Sequence, residues 1–495
     1  MKKSGWMLAL VLLGGTLISA CGADEDNYSG ERAAVKEPME SAQEAPFDKM
    51  YFQDYGTNSF VSADEAPLST FAVDVDTGSY AIARSYIERG QWPPQEAIRV
   101  EEFVNAIDPG YKPPQNDTFA IHVEAGPSPW EGEEELLVRI GIKGKEISEE
   151  DRRAANLVFV IDVSDSMDRD NRIDLVKESL RLLLGQLREE DRIGIVVYGT
   201  TARELIGMTS AEERELLMDA IGGIEIEGAT NMEEGLLLGY RMAEEAFEPN
   251  RINRVILCSD GVANVGETRH DGILERIGGY SEREIYLSTF GFGMGNYNDV
   301  MMEQLADRGN GVYAYIDDKK EAIKVFRDNL TGTLQTIARD AKIQVEFDPG
   351  QIDSYRLLGY ENRALSDADF RNNRADGGEV GSGHSVTALY QVRLVEPGAD
   401  AGDIGHVTIR YRAEEDHREV REMVQSIRLA GELSGSARFQ AAVAEFAITM
   451  RTGEAREGTE LQAIRKLASK NARTKEQKDF VELMDRAIEL ERGRD

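Results

Sequence analysis

The sequence predicts an α/β fold: a doubly wound, mostly parallel sheet over residues 151–340, flanked by β-rich regions and followed by a helical C-terminal segment. Three observations predict it. From Ala154 to Asp340 short apolar runs alternate with amphipathic stretches, and strands that alternate with helices are joined by crossovers into a parallel sheet. After Asp340 the texture changes to short β-rich runs separated by Gly and Asp loops. From Ser436 onward, Phe439, Val443, Phe446 and Met450 recur at helical spacing and form a packing face.

The chain opens with Met1-Lys2-Lys3 and the apolar stretch Trp6 to Ile18, the charged start and short hydrophobic region of a secretory signal, too short for a membrane span. Ile18-Ser19-Ala20-Cys21 resembles a bacterial lipobox. That implies that residues 1–20 are a lipoprotein signal peptide and that Cys21 is the lipidated N-terminus of an exported, lipid-anchored, extracytoplasmic protein. Residues 21–66, rich in Asp, Glu, Ser and Ala, read as a disordered acidic tether. As a flexible coil of roughly 45 residues it would span on the order of 35 to 40 Å. Cys258 lies within an apolar run, where a thiol behaves as a small hydrophobe, so with Cys21 acylated no intramolecular disulfide is expected. No later segment has the eighteen or so consecutive apolar residues of a spanning helix.

Residues 67–150 read as an α+β flank: a strand over Ser69–Asp74, helices around Ser79–Arg89 and Gln95–Ile107, and strands at Phe119–Glu124 and Leu136–Ile142. Asp74-Val75-Asp76 is read as a strand end and helix cap rather than a second metal site, because Thr77-Gly78-Ser79 are themselves start signals. Within residues 151–340 the strands are Leu157–Asp162, Arg192–Tyr198, Arg254–Cys258, Ile285–Phe290 and Val312–Ile316. The helices are Arg172–Leu187, Met232–Phe247, Asp299–Asp307 and Lys319–Ala338. Gly291-Phe-Gly-Met-Gly295 fails as a dinucleotide fingerprint, since the third glycine would fall at Asn296, and is read as a strand-end loop. In the β-rich residues 341–430, Gly377 to His384 lacks the Lys and following helix of a phosphate loop, and His384 reads as a loop or core histidine. Residues 431–495 are the helical segment.

The chemistry gathers at strand ends. Leu157 to Met167, LVFVIDVSDSM, is an apolar run ending at Asp162, followed at two-residue intervals by Ser164 and Ser166. The carboxyl end of a buried central strand is where open α/β sheets place ligands. A carboxylate with two hydroxyls suits a hard cation, Mg²⁺ first and Mn²⁺ or Ca²⁺ as alternatives, although D-x-S-x-S alone also fits an ordinary polar turn. Two further segments bear on that choice. Gly228-Ala229-Thr230-Asn231 feeds a helix and brings another hydroxyl, and RVILC runs into Ser259-Asp260-Gly261 with a second carboxylate. Asp162, Ser164, Ser166, Thr230 and Asp260 together resemble the metal-ion-dependent adhesion site of von Willebrand factor type A domains. That resemblance implies that the three hydroxyls bind the ion and that the two aspartates ligate directly or through water. It also implies that a carboxylate from a protein partner takes the open coordination position.

The flanks carry a second resemblance. STFAVDVDTGSYA, WPPQEAIRVEEFVN and LLVRIGIKG, together with QVEFDPGQIDSYRLLGYENR and GSGHSVTALYQ, are similar to regions beside type A domains in a group of bacterial lipoproteins. Some members are named as calcium-activated chloride channel homologues, a role for which this sequence supplies no membrane-spanning segment. Segment order alone also raises the arrangement in which strands on both sides of the type A domain pair into one β-sandwich, with that domain as an insertion. A formal charge of −34 with 57 Lys and Arg against 91 Asp and Glu argues against nucleic acid as a partner. Five unclustered histidines argue against zinc. The functional expectation is a membrane-anchored, cation-dependent protein-binding module with no catalytic residues, for a partner presenting an exposed Asp or Glu. A metal-assisted hydrolase would need a base beside the five residues, and none is evident; a structural envelope protein with an idle site is the other alternative.

Overall fold

The computed structural model describes residues 50–493 except 131–134, 281–282, 397–401, 414–418, 430 and 454–460. The expected signal peptide, Cys21 and the expected tether as far as residue 49 lie outside the described residues. The first elements are strands β1 (Val61–Ser62) and β2 (Leu68–Ala72), helices α1 (Gly78–Glu88) and α2 (Val100–Asn105), and strands β3 (Phe119–Pro127) and β4 (Glu135–Gly144). Residues 50–66, expected in the tether, are packed instead. Met50 and Phe52 lie against an apolar cluster of the central sheet, and β1 pairs with a later strand. The aromatic side chains Phe52, Tyr55 and Phe60, each partly buried, give this stretch apolar surface to bury.

The single helix expected over Gln95–Ile107 is broken. Gln95–Ala97 forms one 3₁₀ turn, Ile98 and Arg99 are extended (φ −100°, ψ 111° and φ −110°, ψ 114°), and α2 starts at Val100. The Ser79 hydroxyl holds the break by donating to Ala97 O (2.6 Å) and accepting from Arg99 N (2.8 Å). Nor do Asp74 and Asp76 cap α1 as expected. Asp74 Oδ1 accepts from Asp76 N (2.8 Å), Asp76 Oδ1 accepts from Tyr313 N (3.1 Å), and both carboxylates pair with Arg363.

The central segment runs β5 (Ala155–Asp162), α3 (Arg172–Gln186), β6 (Arg192–Tyr198), β7 (Ala202–Ser210), α4 (Arg214–Gly222), α5 (Met232–Glu245), β8 (Ile252–Ser259), α6 (His270–Ile277), β9 (Tyr286–Phe292), α7 (Asp299–Arg308), β10 (Tyr313–Ile316), α8 (Lys319–Ile323) and α9 (Leu330–Leu334). Its sheet has the order β10-β9-β8-β5-β6-β7, parallel throughout except for the edge strand β7. Every residue of β5 and of β8 is buried, which is why both strands read as continuous apolar runs rather than alternating ones. Helix α5 lies close on β5 because Gly239 is bare there: a Cβ would come within 2.3 Å of Val160 Cγ2. Since β5 lies between β6 and β8, its carboxyl end is the switch point of the sheet, where a crevice opens. The helix expected over Lys319–Ala338 is in pieces, with a π-helical turn at Lys324–Asp328. Thr336–Ala338 are strand, because they pair with Gly381, Val380 and Ala413.

The remaining elements are β11 (Thr336–Phe347), β12 (Ile352–Leu358), β13 (Gly378–Gly381), β14 (Ser385–Leu394), β15 (Asp403–Ala413), β16 (Val420–Arg428), α10 (Gly435–Thr452), α11 (Leu461–Asn471) and α12 (Lys475–Arg492). Strands from both flanks share sheets. One sheet has the order β1-β12-β14-β4-β3, all antiparallel; the other is β13-β11-β15-β16, with β2 also along β11. Their inner faces meet in one apolar cluster that includes Val138, Ile140, Val345, Tyr390 and Ile409. The flanks are therefore a single β-sandwich, and the α/β segment is an insertion between β4 and β11. Helices α1, α2, α10, α11 and α12 cover the outer face of the first sheet through a second cluster reaching Leu137, Leu358 and Leu389. No helix among the described residues is long and apolar enough to cross a membrane. The fold class is the one expected: an α/β domain with a mostly parallel sheet, β-rich flanks and C-terminal helices.

Candidate functional site

The site begins where β5 runs out. Asp162 is its last residue, and the chain then turns through Ser164 and two linked 3₁₀ turns over Asp165–Asn171 before α3. Asp170 and Asn171 take left-handed conformations (φ 51° and 58°), a region that Asn and Asp tolerate better than most side chains, and so reverse the chain into the helix. Asp162 Oδ1 accepts from Ser164 N (2.9 Å), which folds the turn back over the strand end. The Ser164 and Ser166 hydroxyls then lie 2.9 Å apart, and Ser166 helps to hold down the carboxyl of Asp260, the residue after β8. Asp162, Ser164 and Ser166 are thus linked by hydrogen bonds, and Asp260 completes the row across the crevice.

Thr230 is tied to the site by the backbone of its loop, and among the described residues its hydroxyl makes no hydrogen bond to the other four. Asp165 N donates to Gly228 O (2.9 Å), and Gly228 has φ 59°. Thr230 N donates to Asn264 Oδ1 (2.8 Å), while its carbonyl accepts from Asn264 N and Val265 N (both 3.1 Å). Thr230 is 2 % exposed, and Asn231 after it caps α5 by accepting from Glu234 N.

Both carboxylates are fully buried. Burial, reinforced by the charge of Asp260, pushes the Asp162 carboxyl up to about 7, against hydrogen bonds from Ser164 and Ser259. Burial also raises Asp260, opposed by Ser166 and by the Arg172 guanidinium. The donor set fits a hard divalent cation. Two oxygens coordinated side by side on Mg²⁺ at 2.0–2.1 Å are about 3 Å apart, close to the 2.9 Å between the serine hydroxyls. Among the described residues no group of three or more His, Cys, Asp or Glu side chains could hold a metal, so a cation at this site would depend on the hydroxyls as well as the two carboxylates.

Several supporting residues escaped the sequence reading. Ser259 donates to Asp162 Oδ2 (2.8 Å), with Tyr198 OH on the same oxygen at 3.4 Å. Arg172 Nη1 donates to Asp260 Oδ2 (2.9 Å) and to Asn296 Oδ1 (2.9 Å), and Arg172 Nη2 to Met294 O. Gly291 and Phe292, expected in a strand-end loop, are still part of β9; the loop begins at Gly293 (φ 95°), which lies against the Arg172 side chain. Only Ser259, adjacent to Asp260, carried a positional hint; an isolated arginine at the start of a helix carries none. Elsewhere, His384 Nε2 is 2.9 Å from Asn329 Nδ2 and burial lowers its pKa to about 4, and Cys258 is a buried free thiol.

Residues 156–329, the α/β segment, match the family model "von Willebrand factor type A domain". Residues 332–490 match "Uncharacterized protein YfbK, C-terminal", and residues 46–138 match a further model described as "von Willebrand factor". The chain is homologous to YfbK of Escherichia coli, 39 % identical over 354 residues, covering 69 % of this chain and 61 % of that protein. It is also similar to sll0103 of Synechocystis (29 % over 282 residues; 55 % of this chain, 65 % of that protein). A third relative is the human inter-alpha-trypsin inhibitor heavy chain H3 (31 % over 262 residues; 49 % and 29 %). The chain thus spans less than two thirds of the length of these relatives. Among solved structures, a von Willebrand factor type A protein from Catenulispora acidiphila aligns with TM-score 0.44 at 17 % identity, over 75 % of this chain and 90 % of that one.

Proposed function

We propose that this protein is an exported, lipid-anchored binding module whose type A domain holds a divalent cation, Mg²⁺ in the first instance, and through it an acidic residue of a protein partner. The observation that carries this reading is the row Asp162–Ser164–Ser166–Asp260 at the switch point of the sheet, with two neutral hydroxyls 2.9 Å apart at its centre. Ser164, Ser166 and Thr230 would hold the ion, with Asp162 and Asp260 contributing directly or through water. When bound, the cation supplies positive charge that neutral hydroxyls leave largely uncompensated, which is what a partner's carboxylate seeks. Ser164 N, Ser259 and Tyr198 hold Asp162 in place, and Asn264 fixes the Thr230 backbone.

Anchoring rests on the Ile18–Cys21 motif; acyl chains at about 0.8 kcal/mol per buried methylene make a stable attachment, and mass spectrometry of the mature N-terminus tests it. A binding role is favoured over hydrolysis because both carboxylates of the row are already engaged, Asp162 by Ser164 N and Ser259 and Asp260 by Arg172, and because the relatives' printed names include inhibitor heavy chains. The deciding experiment is surface plasmon resonance against a partner recovered from the cell envelope, in Mg²⁺ and in EDTA. Thr230→Ala should weaken binding while leaving the fold intact, chelation should cost as much or more, and the two losses should not add. Affinity indifferent to both treatments would move recognition to another surface.

A further inference from the structure

We infer that Arg172 sets the charge of the site, holding cation affinity down so that the loaded site stays net positive and receptive to a carboxylate; this rests on reading the site as a divalent-cation centre. Arg172 is the first residue of α3, and its side chain is 2 % exposed. A buried guanidinium is costly unless paired and hydrogen-bonded, and here the surroundings are shaped to keep it. Asp260 Oδ2 and Asn296 Oδ1 each accept from Nη1 at 2.9 Å, and Met294 O accepts from Nη2. Gly293 takes φ 95°, and a Cβ there would fall 2.0 Å from Arg172 Nε, so the loop after β9 is closed over the arginine by a residue without a side chain.

The charge balance follows. Asp162 and Asp260 are the buried carboxylates of the row and Arg172 is the buried cation beside them, while Asp165, Asp168 and Arg169 on the adjoining turn are exposed and screened. A divalent ion added to the two aspartates alone would be neutralised. With Arg172 present, one positive charge is left over, as an incoming Asp or Glu requires. The guanidinium also engages Asp260 Oδ2 while Val262 N donates to Oδ1 (3.2 Å), so Asp260 has reduced lone-pair capacity for a direct bond to the ion. Arg172 is therefore a positioning and specificity-determining residue, trading cation affinity for partner affinity.

The test is calorimetric titration of the full chain with Mn²⁺ alone. Removing a unit charge one carboxylate away from a divalent ion in a poorly solvated site should tighten binding at least about tenfold in Arg172→Gln, while Arg172→Lys stays within about threefold of wild type. Arg172→Met, which removes the charge while keeping a long side chain in the same place, should also tighten binding; it decides the matter should Arg172→Gln fail to fold by circular dichroism. A second readout is the water-proton relaxation enhancement of bound Mn²⁺, which acetate should quench at lower concentration in wild type than in Arg172→Gln. Unchanged or weaker Mn²⁺ binding in the folded variants overturns the inference and leaves Arg172 as a support for Asp260, as does acetate sensitivity equal to wild type. If wild type and variants alike bind no Mn²⁺ at millimolar concentration, the cation reading itself fails and the inference with it.

Discussion

Asp162 is buried beside a second carboxylate, and that placement fixes how the site answers to pH. Its folded-state carboxyl holds a proton up to about 7 against an ordinary 3.8, so the native state binds that proton more tightly than the unfolded chain does. The sign follows: this contribution to stability is complete below about 3.8 and is lost as pH rises through 7. A cation bound as proposed would have to displace the same proton. Mn²⁺ affinity should therefore climb between pH 6 and pH 8 and level off above, and Asp162→Asn should abolish the climb; calorimetry at three pH values checks this, and a flat wild-type profile would contradict it. At this scale the row itself was legible: the two-residue spacing of Asp162, Ser164 and Ser166 puts three polar side chains on one turn, and Asp260 ends a second buried run. Arg172 was not legible. What singles it out is the company of Asp260, Asn296 and Met294, which only the fold assembles.

Elements were legible where one periodicity dominates. Strands β5 and β8 are buried on both faces and read as unbroken apolar runs, and α5 shows its amphipathic face. Strand β7 was overlooked because, as the antiparallel edge strand, it is only partly buried and carries Arg203 and Glu204 in the open. The helix expected over Gln95–Ile107 failed for another reason: Ser79, far back in the chain, captures the backbone at Ala97 and Arg99. Helical packing on the outer sheet converges on Phe480 of α12, which is fully buried with ring centroids 6.0 Å from Tyr80 of α1, 6.1 Å from Phe439 and 5.6 Å from Phe446 of α10. Phe480→Ala should cost about 3–5 kcal/mol in urea unfolding, since the cavity lies between three helices that cannot all close on it. A loss under about 1 kcal/mol would mean that α12 is not integral to this core.

On the scale of the whole molecule, a buried ionic joint fastens the type A insertion to the sandwich. Arg363, in the turn after β12, reaches Asp74 (3.0 Å) and Asp76 (3.2 Å) behind β2, and Glu303 (3.5 Å) and Asp307 on α7. Arg99 nearby pairs with Glu102 and Asp299 (2.6 Å). Carboxylates outnumber the two arginines here, so Arg363→Met should strand several buried charges and cost about 3–5 kcal/mol. The penalty should shrink at pH 5, because burial already raises Asp76 and Glu303 and the unpaired carboxyls would take up protons; denaturant midpoints at pH 5 and pH 8 measure the difference. No local pattern announces such a joint, nor the pairing of Val138 with Tyr390, since alternation within a strand says which face is apolar but not which distant strand lies beside it. That pairing also sets an order of events. Strand β4 is complete before the insertion begins, yet its neighbour β14 comes after the insertion has ended, and Gly144 at the exit of β4 lies against Ile337 at the start of β11. During synthesis the type A segment has its own strands and crossovers in hand while the β3–β4 hairpin waits with one edge unpaired. Chain growth thus makes the α/β insertion the first part able to fold, and leaves the sandwich that carries it to be closed last around its two ends.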